Sequence, residues 1–175
     1  QTVTIRYPKH HEPPVAHERL AVLYEDQWLL AVDKPGDMLS HPTDKIVENC
    51  ATTMLKRQFP DETLHLAHRL DRETSGVLLF SKDPSTARLL TAAFFERHVA
   101  KQYAAIVAGR VAWAARTVDA PIDRQGGDIR VRQAVGRGQP AVTEFHRLAT
   151  ATTASLLAAK PRTGPVSKAK NTEFE

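Results

Sequence analysis

Short apolar runs, each ended by glycine, proline or charged residues, are the feature that most limits how this chain can fold. The longest are Val-Leu-Leu-Phe at 77–80 and Ala-Ala-Ile-Val-Ala at 104–108, and runs of this length suit buried strands. A membrane span needs about 20 consecutive apolar residues, so we expect no contact with a membrane. With 42% apolar and 25% charged residues, the chain has an ordinary globular composition and can bury a core.

Strand patterns outnumber helix patterns along the chain. Helical periodicity is confined to 47–59 and to a helix that starts at Asp83-Pro84, with an apolar stripe of Ala87, Leu90, Ala93 and Phe94. Strands are predicted within 20–33 on either side of a turn at 25–27, and at 64–70, 77–81 (fully buried), 101–109, 117–122, 129–134, 141–148 and 155–159. This order has no regular βαβ rhythm. It predicts an α+β fold with a mixed, largely antiparallel sheet and a few flanking helices.

Proline and cysteine usage indicate how the chain is organised. Residues 1–19 contain Pro8, Pro13 and Pro14 and predict an extended arm or linker. Residues 20–164 form one predicted domain, and 165–175 form a polar tail. The single cysteine, Cys50, excludes an intrachain disulfide and favours a reducing, cytoplasmic compartment. Histidines in the arm lack partners at ligand spacing, so we predict no metal site.

Positive charge is concentrated in the second half of the chain. The whole chain has a net charge of +4, and between residues 96 and 138 eight cations, seven of them arginine, face four acids. Arginine is well suited to phosphate, although a solvated protein face has the same composition. On the nucleic-acid reading, Arg130 and Arg132, two apart on a predicted strand, are the expected phosphate contacts.

The segment 68–76, His-Arg-Leu-Asp-Arg-Glu-Thr-Ser-Gly, is the strongest candidate for chemistry. Arg69 and Asp71 lie two apart at a predicted strand end, where their side chains would leave the same face. A nearby guanidinium favours the ionised carboxylate, and a fixed carboxylate at a loop rim can act as nucleophile or general base. A structural ion pair that closes a hairpin explains the same pattern, and the local residues leave both readings open.

Two further segments offer binding groups. Lys101 and Tyr103 share a predicted strand face, and the tyrosine ring could stack on a base or lie half-buried in the core. Arg162 lies in a loop, Lys-Pro-Arg-Thr-Gly at 160–164, that follows an apolar strand. It is a candidate exposed cation.

These segments together resemble one known family. HRLDRETSG at 68–76, with LYEDQWLLAVDKP at 23–35 before it and KQYAAIVAG at 101–109 after it, is similar to the RluA-type pseudouridine synthases. The similarity extends from about residue 20 to residue 164. It implies that 20–164 is a pseudouridine synthase catalytic domain.

The resemblance implies a reaction and roles for particular residues. Such enzymes isomerise specific uridines to pseudouridine in structured RNA, here rRNA or tRNA, without a metal or an organic cofactor. Asp71 would be the nucleophile, Arg69 would pair with it or fill the gap left by the extruded nucleotide, and Tyr103 would pack on the uracil. Lys101 and Arg162 would also bind substrate, and Arg72 would contact RNA. We expect a cytoplasmic monomer.

Two departures from the family pattern leave a second function open. Residues 165–175 lack the arginine and the histidine-containing run that follow the last family motif, and Asp37 stands where a glycine is expected. The alternative is a truncated or degenerate synthase fold that binds RNA without catalysis.

Overall fold

The computed structural model describes residues 12, 17–124, 133–136 and 138–163. The chain divides into two compact units, residues 1–96 and residues 97–175. Each unit builds its own antiparallel sheet and its own hydrophobic core.

The first unit contains one four-stranded sheet and two helices. The strands follow the order β1-β2-β4-β3, and all three pairings are antiparallel. The elements are β1 (Ala21–Glu25), β2 (Leu29–Lys34), α1 (Ala51–Gln58), β3 (His65–Leu66), β4 (Gly76–Ser81) and α2 (Pro84–Phe95).

The core of the first unit lies on one face of this sheet. Alternate residues Leu30 and Val32 of β2 and Leu78 and Phe80 of β4 are fully buried, as the two-residue period of a strand requires. They cluster with the buried Met54 and Leu55 of α1. Burial of these side chains is the main stabilising term for the unit.

Helix α2 begins where the sequence predicts. The Asp83 carboxylate accepts hydrogen bonds from the backbone N–H groups of Ser85 and Thr86, both at 2.9 Å, and Pro84 occupies the first helical position. Hydrogen bonds from the Ser85 and Thr86 side chains and backbone also hold the pKa of Asp83 well below its usual range.

Helix α1 begins later than predicted, at Ala51 instead of 47. The backbone N–H groups of Val47, Glu48 and Asn49 bind the Glu12 carboxylate, at 3.0, 2.7 and 2.6 Å. The Glu12 carboxylate thus satisfies backbone donors in the loop that precedes the helix.

The second unit contains a four-stranded sheet and a two-stranded one. The larger sheet has the antiparallel order β5-β10-β9-β6, and β7 pairs with β8. Its core includes Val107, Phe145 and Leu157. The strands are β5 (Tyr103–Ala108), β6 (Ala115–Asp119), β7 (Ile122–Arg124), β8 (Gln133–Val135), β9 (Val142–Thr150) and β10 (Ala154–Thr163).

The predicted α+β class with a largely antiparallel sheet is confirmed. All pairings between named strands are antiparallel in the described residues, and the parallel contact recorded there is the isolated bridge of Leu39 with Cys50. Within the same residues, no helix is both long enough and apolar enough to cross a bilayer.

Two strand predictions in the first unit were wrong in detail. The strand predicted at 64–70 covers only His65–Leu66, because the Leu79 N–H hydrogen-bonds to Nε2 of His68 at 3.3 Å instead of to a strand carbonyl. The strand at 77–81 is not fully buried, since Val77 is 57% exposed. The predicted strand at 129–134 lies partly outside the described residues.

The core position of Phe80 leads to a stability prediction. Phe80→Ala should lower the free energy of unfolding by about 3–5 kcal/mol, since truncation removes apolar burial and leaves a cavity. Val77→Ala on the same strand should change it by less than about 1 kcal/mol. Urea denaturation of both variants measures the difference, and equal losses would contradict the assigned core.

Candidate active site

Asp71 lies in the loop between β3 and β4, with its side chain exposed. The Thr74 N–H donates to the Asp71 carbonyl at 3.1 Å and closes a turn at 71–74. Arg69 and Arg72 are exposed on the same loop. The loop therefore brings together three of the residues singled out from sequence, at the exposed position that was expected for the carboxylate.

The reason given from sequence for pairing Arg69 with Asp71 does not hold. It assumed a strand that continues to 70, but the strand ends at Leu66, so alternation of faces does not apply to 69 and 71. The Arg69 guanidinium makes no hydrogen bond or ion pair with any described residue. It is an uncommitted cation two residues before Asp71.

Ser40 anchors the residue before Asp71. Its hydroxyl donates to the Leu70 carbonyl at 2.7 Å and accepts from the Leu70 N–H at 3.0 Å. Ser40 is only 2% exposed, so solvent does not compete for these bonds. The serine holds both backbone groups of Leu70 and thereby fixes the direction in which the chain enters the loop.

Lys34 anchors the residue after Asp71. It is the last residue of β2 and is fully buried. Its Nζ donates to the backbone carbonyls of Pro35 at 2.8 Å, Met38 at 2.7 Å and Arg72 at 3.3 Å. A buried ammonium group is costly unless its donors are satisfied. These carbonyls satisfy them, and they join the loop after β2 to the loop that carries Asp71.

An ion pair on the surface joins the same two loops. Arg72 Nε lies 2.9 Å from Asp37 Oδ1 and 3.4 Å from the Asp37 carbonyl oxygen. Both side chains remain substantially exposed. Arg72, which was predicted to contact RNA, is thus already paired with a carboxylate.

His68 fixes the start of the loop against the first unit. Besides accepting from Leu79, its ring stacks on Phe94 of α2 with a centroid distance of 4.5 Å and an interplanar angle of 27°. This role was missed from sequence because it depends on a contact with a helix 26 residues further along the chain.

Tyr103, Lys101 and Arg162 belong to the second unit. Tyr103 opens β5, pairs with Ala159 of β10 and packs half-buried against the core of that unit. Lys101 is half-buried just before β5. Arg130 and Arg132, the predicted phosphate contacts, lie outside the described residues.

The Arg162 side chain is engaged by a neighbouring strand. Its Nε and one Nη each lie 2.9 Å from a different oxygen of Glu144 on β9, a two-point pairing that guanidinium and carboxylate groups favour. The hydrogen bonds between the two side chains lower the pKa of Glu144 and raise the pKa of Arg162.

No cluster of histidine, cysteine, aspartate or glutamate side chains in the described ranges is arranged to hold a metal ion. The loop itself offers an exposed carboxylate between two anchored neighbours, flanked by two arginines.

Loss of the Lys34 ammonium should destabilise the first unit. Lys34→Met keeps the length of the side chain but leaves three carbonyls without a donor, so the free energy of unfolding should fall by about 2–4 kcal/mol. Chemical denaturation measures the change. Lys56→Met, on the exposed side of α1, should change it by less than about 1 kcal/mol, and a similar effect of both would contradict the assigned role.

The Glu144–Arg162 pair should make stability depend on pH. Because the folded-state pKa of Glu144 is lowered from 4.5, its contribution is present above that value and is lost as the pH falls through the folded pKa. The melting temperature should therefore fall more for the native chain than for Glu144→Gln between about pH 6 and pH 3. Glu18→Gln, at an exposed position, should follow the native chain; parallel curves for all three would refute the pairing.

Comparison with known proteins shows which proteins this chain is similar to. Residues 28–166 match the family model described as RNA pseudouridylate synthase. Human pseudouridylate synthase RPUSD2 is 32% identical over 154 residues, which are 88% of this chain and 28% of the relative. Ribosomal large subunit pseudouridine synthase D of Borreliella burgdorferi is 36% identical over 156 residues, 83% of this chain and 48% of the relative. The chain spans about half the length, or less, of these curated relatives.

Solved structures agree with the fold. The structure titled Human RNA Pseudouridylate Synthase Domain Containing 4 superposes with a TM-score of 0.66 at 29% identity, covering 83% of this chain and 60% of that one. A second, titled Human RNA Pseudouridylate Synthase Domain Containing 1, gives a TM-score of 0.71 at 24% identity, covering 85% and 61%, which bears on the fold alone. The family model covers most of the chain, including the loop that carries Asp71, and the chain belongs to the RNA pseudouridylate synthase family, of the RluA type that its motifs indicate.

Proposed function

We propose that this chain carries the catalytic module of an enzyme that isomerises specific uridines in structured RNA to pseudouridine, with Asp71 as nucleophile. The observation that carries the proposal is the position of Asp71. It is exposed within the family motif at 68–76, while the backbone of Leu70 before it and of Arg72 after it is held by buried side chains. A nucleophile needs this combination of access and fixed direction.

The reaction is an isomerisation, so no atoms are gained or lost. The bond between uracil N1 and ribose C1′ breaks, the uracil turns, and a bond from uracil C5 to C1′ forms; C5 gives up a proton and N1 carries one in the product. A carboxylate can form a transient bond to the substrate and be released unchanged. This chemistry needs no electron transfer, which fits our expectation that neither a metal nor an organic cofactor takes part.

Access to the uracil sets a second requirement. In a stacked helix the reacting atoms are hidden, so the nucleotide must be extruded at a cost of a few kcal/mol. We assign the uncommitted Arg69 guanidinium to this step, either filling the gap or pairing with the carboxylate once RNA is bound. Tyr103 packs on the uracil in this proposal, and Lys101 contributes a positive charge to substrate binding.

Backbone contacts to RNA offset the cost of extrusion and make binding sensitive to salt. Arg72, Arg130, Arg132 and Arg162 are the cations we assign to such contacts. For Arg72 and Arg162 a phosphate would have to compete with Asp37 and Glu144. We propose rRNA or tRNA as the substrate class; the names of relatives as ribosomal large subunit synthases favour rRNA. We expect the enzyme to act as a cytoplasmic monomer.

The second candidate is RNA binding without turnover. Residues 165–175 depart from the family pattern that follows the last motif, and the chain spans only part of its relatives' length. On this proposal the chain binds RNA but forms no pseudouridine until it is extended by a family-like C-terminal segment. Equal turnover with and without that extension would exclude it.

Asp71→Asn tests the assignment of the nucleophile. The amide is nearly isosteric but is a poor nucleophile, so pseudouridine formation should fall by at least about a thousandfold. Chemical mapping of pseudouridine in rRNA and tRNA transcripts after incubation measures it. Asp61→Asn, at an exposed position after α1, is the matched control and should retain turnover. Undiminished turnover by Asp71→Asn would refute the assignment, and RNA binding without turnover by the native chain would favour the second candidate.

A further inference from the structure

Asp37 adopts a backbone conformation that favours glycine. Its φ is +66°, whereas the residue before it in the loop, Gly36, has no positive φ. A side chain in the left-handed region is strained, and aspartate and asparagine tolerate it better than most residues. The family pattern expects glycine here, so this chain bears a strain that a glycine would remove. Compared with glycine, Asp37 adds a carboxylate, and the contacts of this carboxylate indicate its role.

That contact is with Arg72, the residue that follows the proposed nucleophile. Arg72 Nε is 2.9 Å from Asp37 Oδ1, and the side chains are 43% and 82% exposed, respectively. Within the described residues, the guanidinium has no other hydrogen-bond or ion-pair partner. Any other anion that binds the Arg72 guanidinium must therefore compete with Asp37.

The strength of the contacts shows what the ion pair does. The loop around Asp71 is already held by buried hydrogen bonds from Lys34 and Ser40, whereas an exposed ion pair changes an equilibrium by only about twofold to fivefold. The pair therefore adds little to the position of the loop. Its larger effect is to neutralise the positive charge of Arg72 locally, because a guanidinium bound to a carboxylate attracts a phosphate less strongly.

We propose that Asp37 is an affinity-determining residue: its carboxylate competes with an RNA phosphate for Arg72, beside the proposed nucleophile. The inference rests on the proposed function, because it takes RNA as the substrate. In the free chain Asp37 neutralises Arg72. A bound RNA strand must displace that carboxylate or tolerate its negative charge, and either effect weakens binding.

Asp37→Asn isolates the charge, because asparagine keeps the shape and tolerates positive φ. Binding is measured by fluorescence anisotropy with fluorescein-labelled rRNA and tRNA transcripts over a series of salt concentrations. Asp37→Asn should bind about twofold to fivefold tighter at low salt. Its plot of log affinity against log salt should be steeper by about one unit, the signature of one added phosphate contact. Asp61→Asn, which makes the same change in net charge away from Arg72, should leave the slope unchanged.

Arg72→Gln completes the test. It should weaken binding, and adding Asp37→Asn to it should have no more effect than Asp61→Asn, since Asp37 acts through Arg72. Asp37→Gly should also bind tighter than the native chain and should melt no lower, because glycine removes the strain; this second variant shows that tighter binding does not come from a disturbed fold.

Two outcomes would overturn the proposal while leaving the proposed function standing: unchanged affinity and slope for Asp37→Asn, or the same gain from Asp37→Asn whether or not Arg72 is present. A native chain and Asp37→Asn that both fail to bind the labelled RNA would instead contradict the proposed function together with this inference.

Discussion

A buried ammonium group joins the two loops on which the candidate active site depends. Lys34 ends β2 and donates to Pro35 and Met38 within its own loop and to Arg72 across from it. Moving the ammonium group into water would remove the free-energy cost of burying it, but the two loops would lose the group that joins them. Removing the group would leave three backbone carbonyls without a hydrogen-bond donor. The arrangement is therefore stable only when both loops occupy their observed positions, which ties the direction of Asp71 to the packing of the first sheet.

The same arrangement explains how an exposed residue can be held firmly. Asp71 is open to solvent, but the backbone on either side of it is bonded to side chains that are not: Ser40, 2% exposed, and Lys34, fully buried. Ser40 lies 30 residues from Leu70 and Lys34 lies 38 residues from Arg72 in the sequence. The entropy cost of fixing this backbone is therefore met when the unit folds. The backbone that carries the proposed nucleophile is therefore already in place before any substrate binds.

Local signals in the sequence predicted local structure well. The Asp83-Pro84 helix start and the turn between β1 and β2 both depend on neighbouring residues, and the structure has them. The error in β3 arose where a side chain took over a backbone donor, because His68 accepts from the Leu79 N–H. Burial of Lys34 was equally out of reach, because a lysine beside Pro-Gly ordinarily marks a solvated turn.

The fate of the arginines shows why charge alone is a weak guide to an RNA-binding surface. Composition does not distinguish Arg69, Arg72 and Arg162. In the structure, Arg72 pairs with Asp37 and Arg162 pairs with Glu144. Of these three arginines, only Arg69 makes no such pair in the described part of the chain. A phosphate gains little from a guanidinium that already holds a carboxylate. Under the proposed function, the affinity for RNA depends on which cations the fold leaves uncommitted, and the carboxylates of Asp37 and Glu144 oppose binding through the arginines that they pair with.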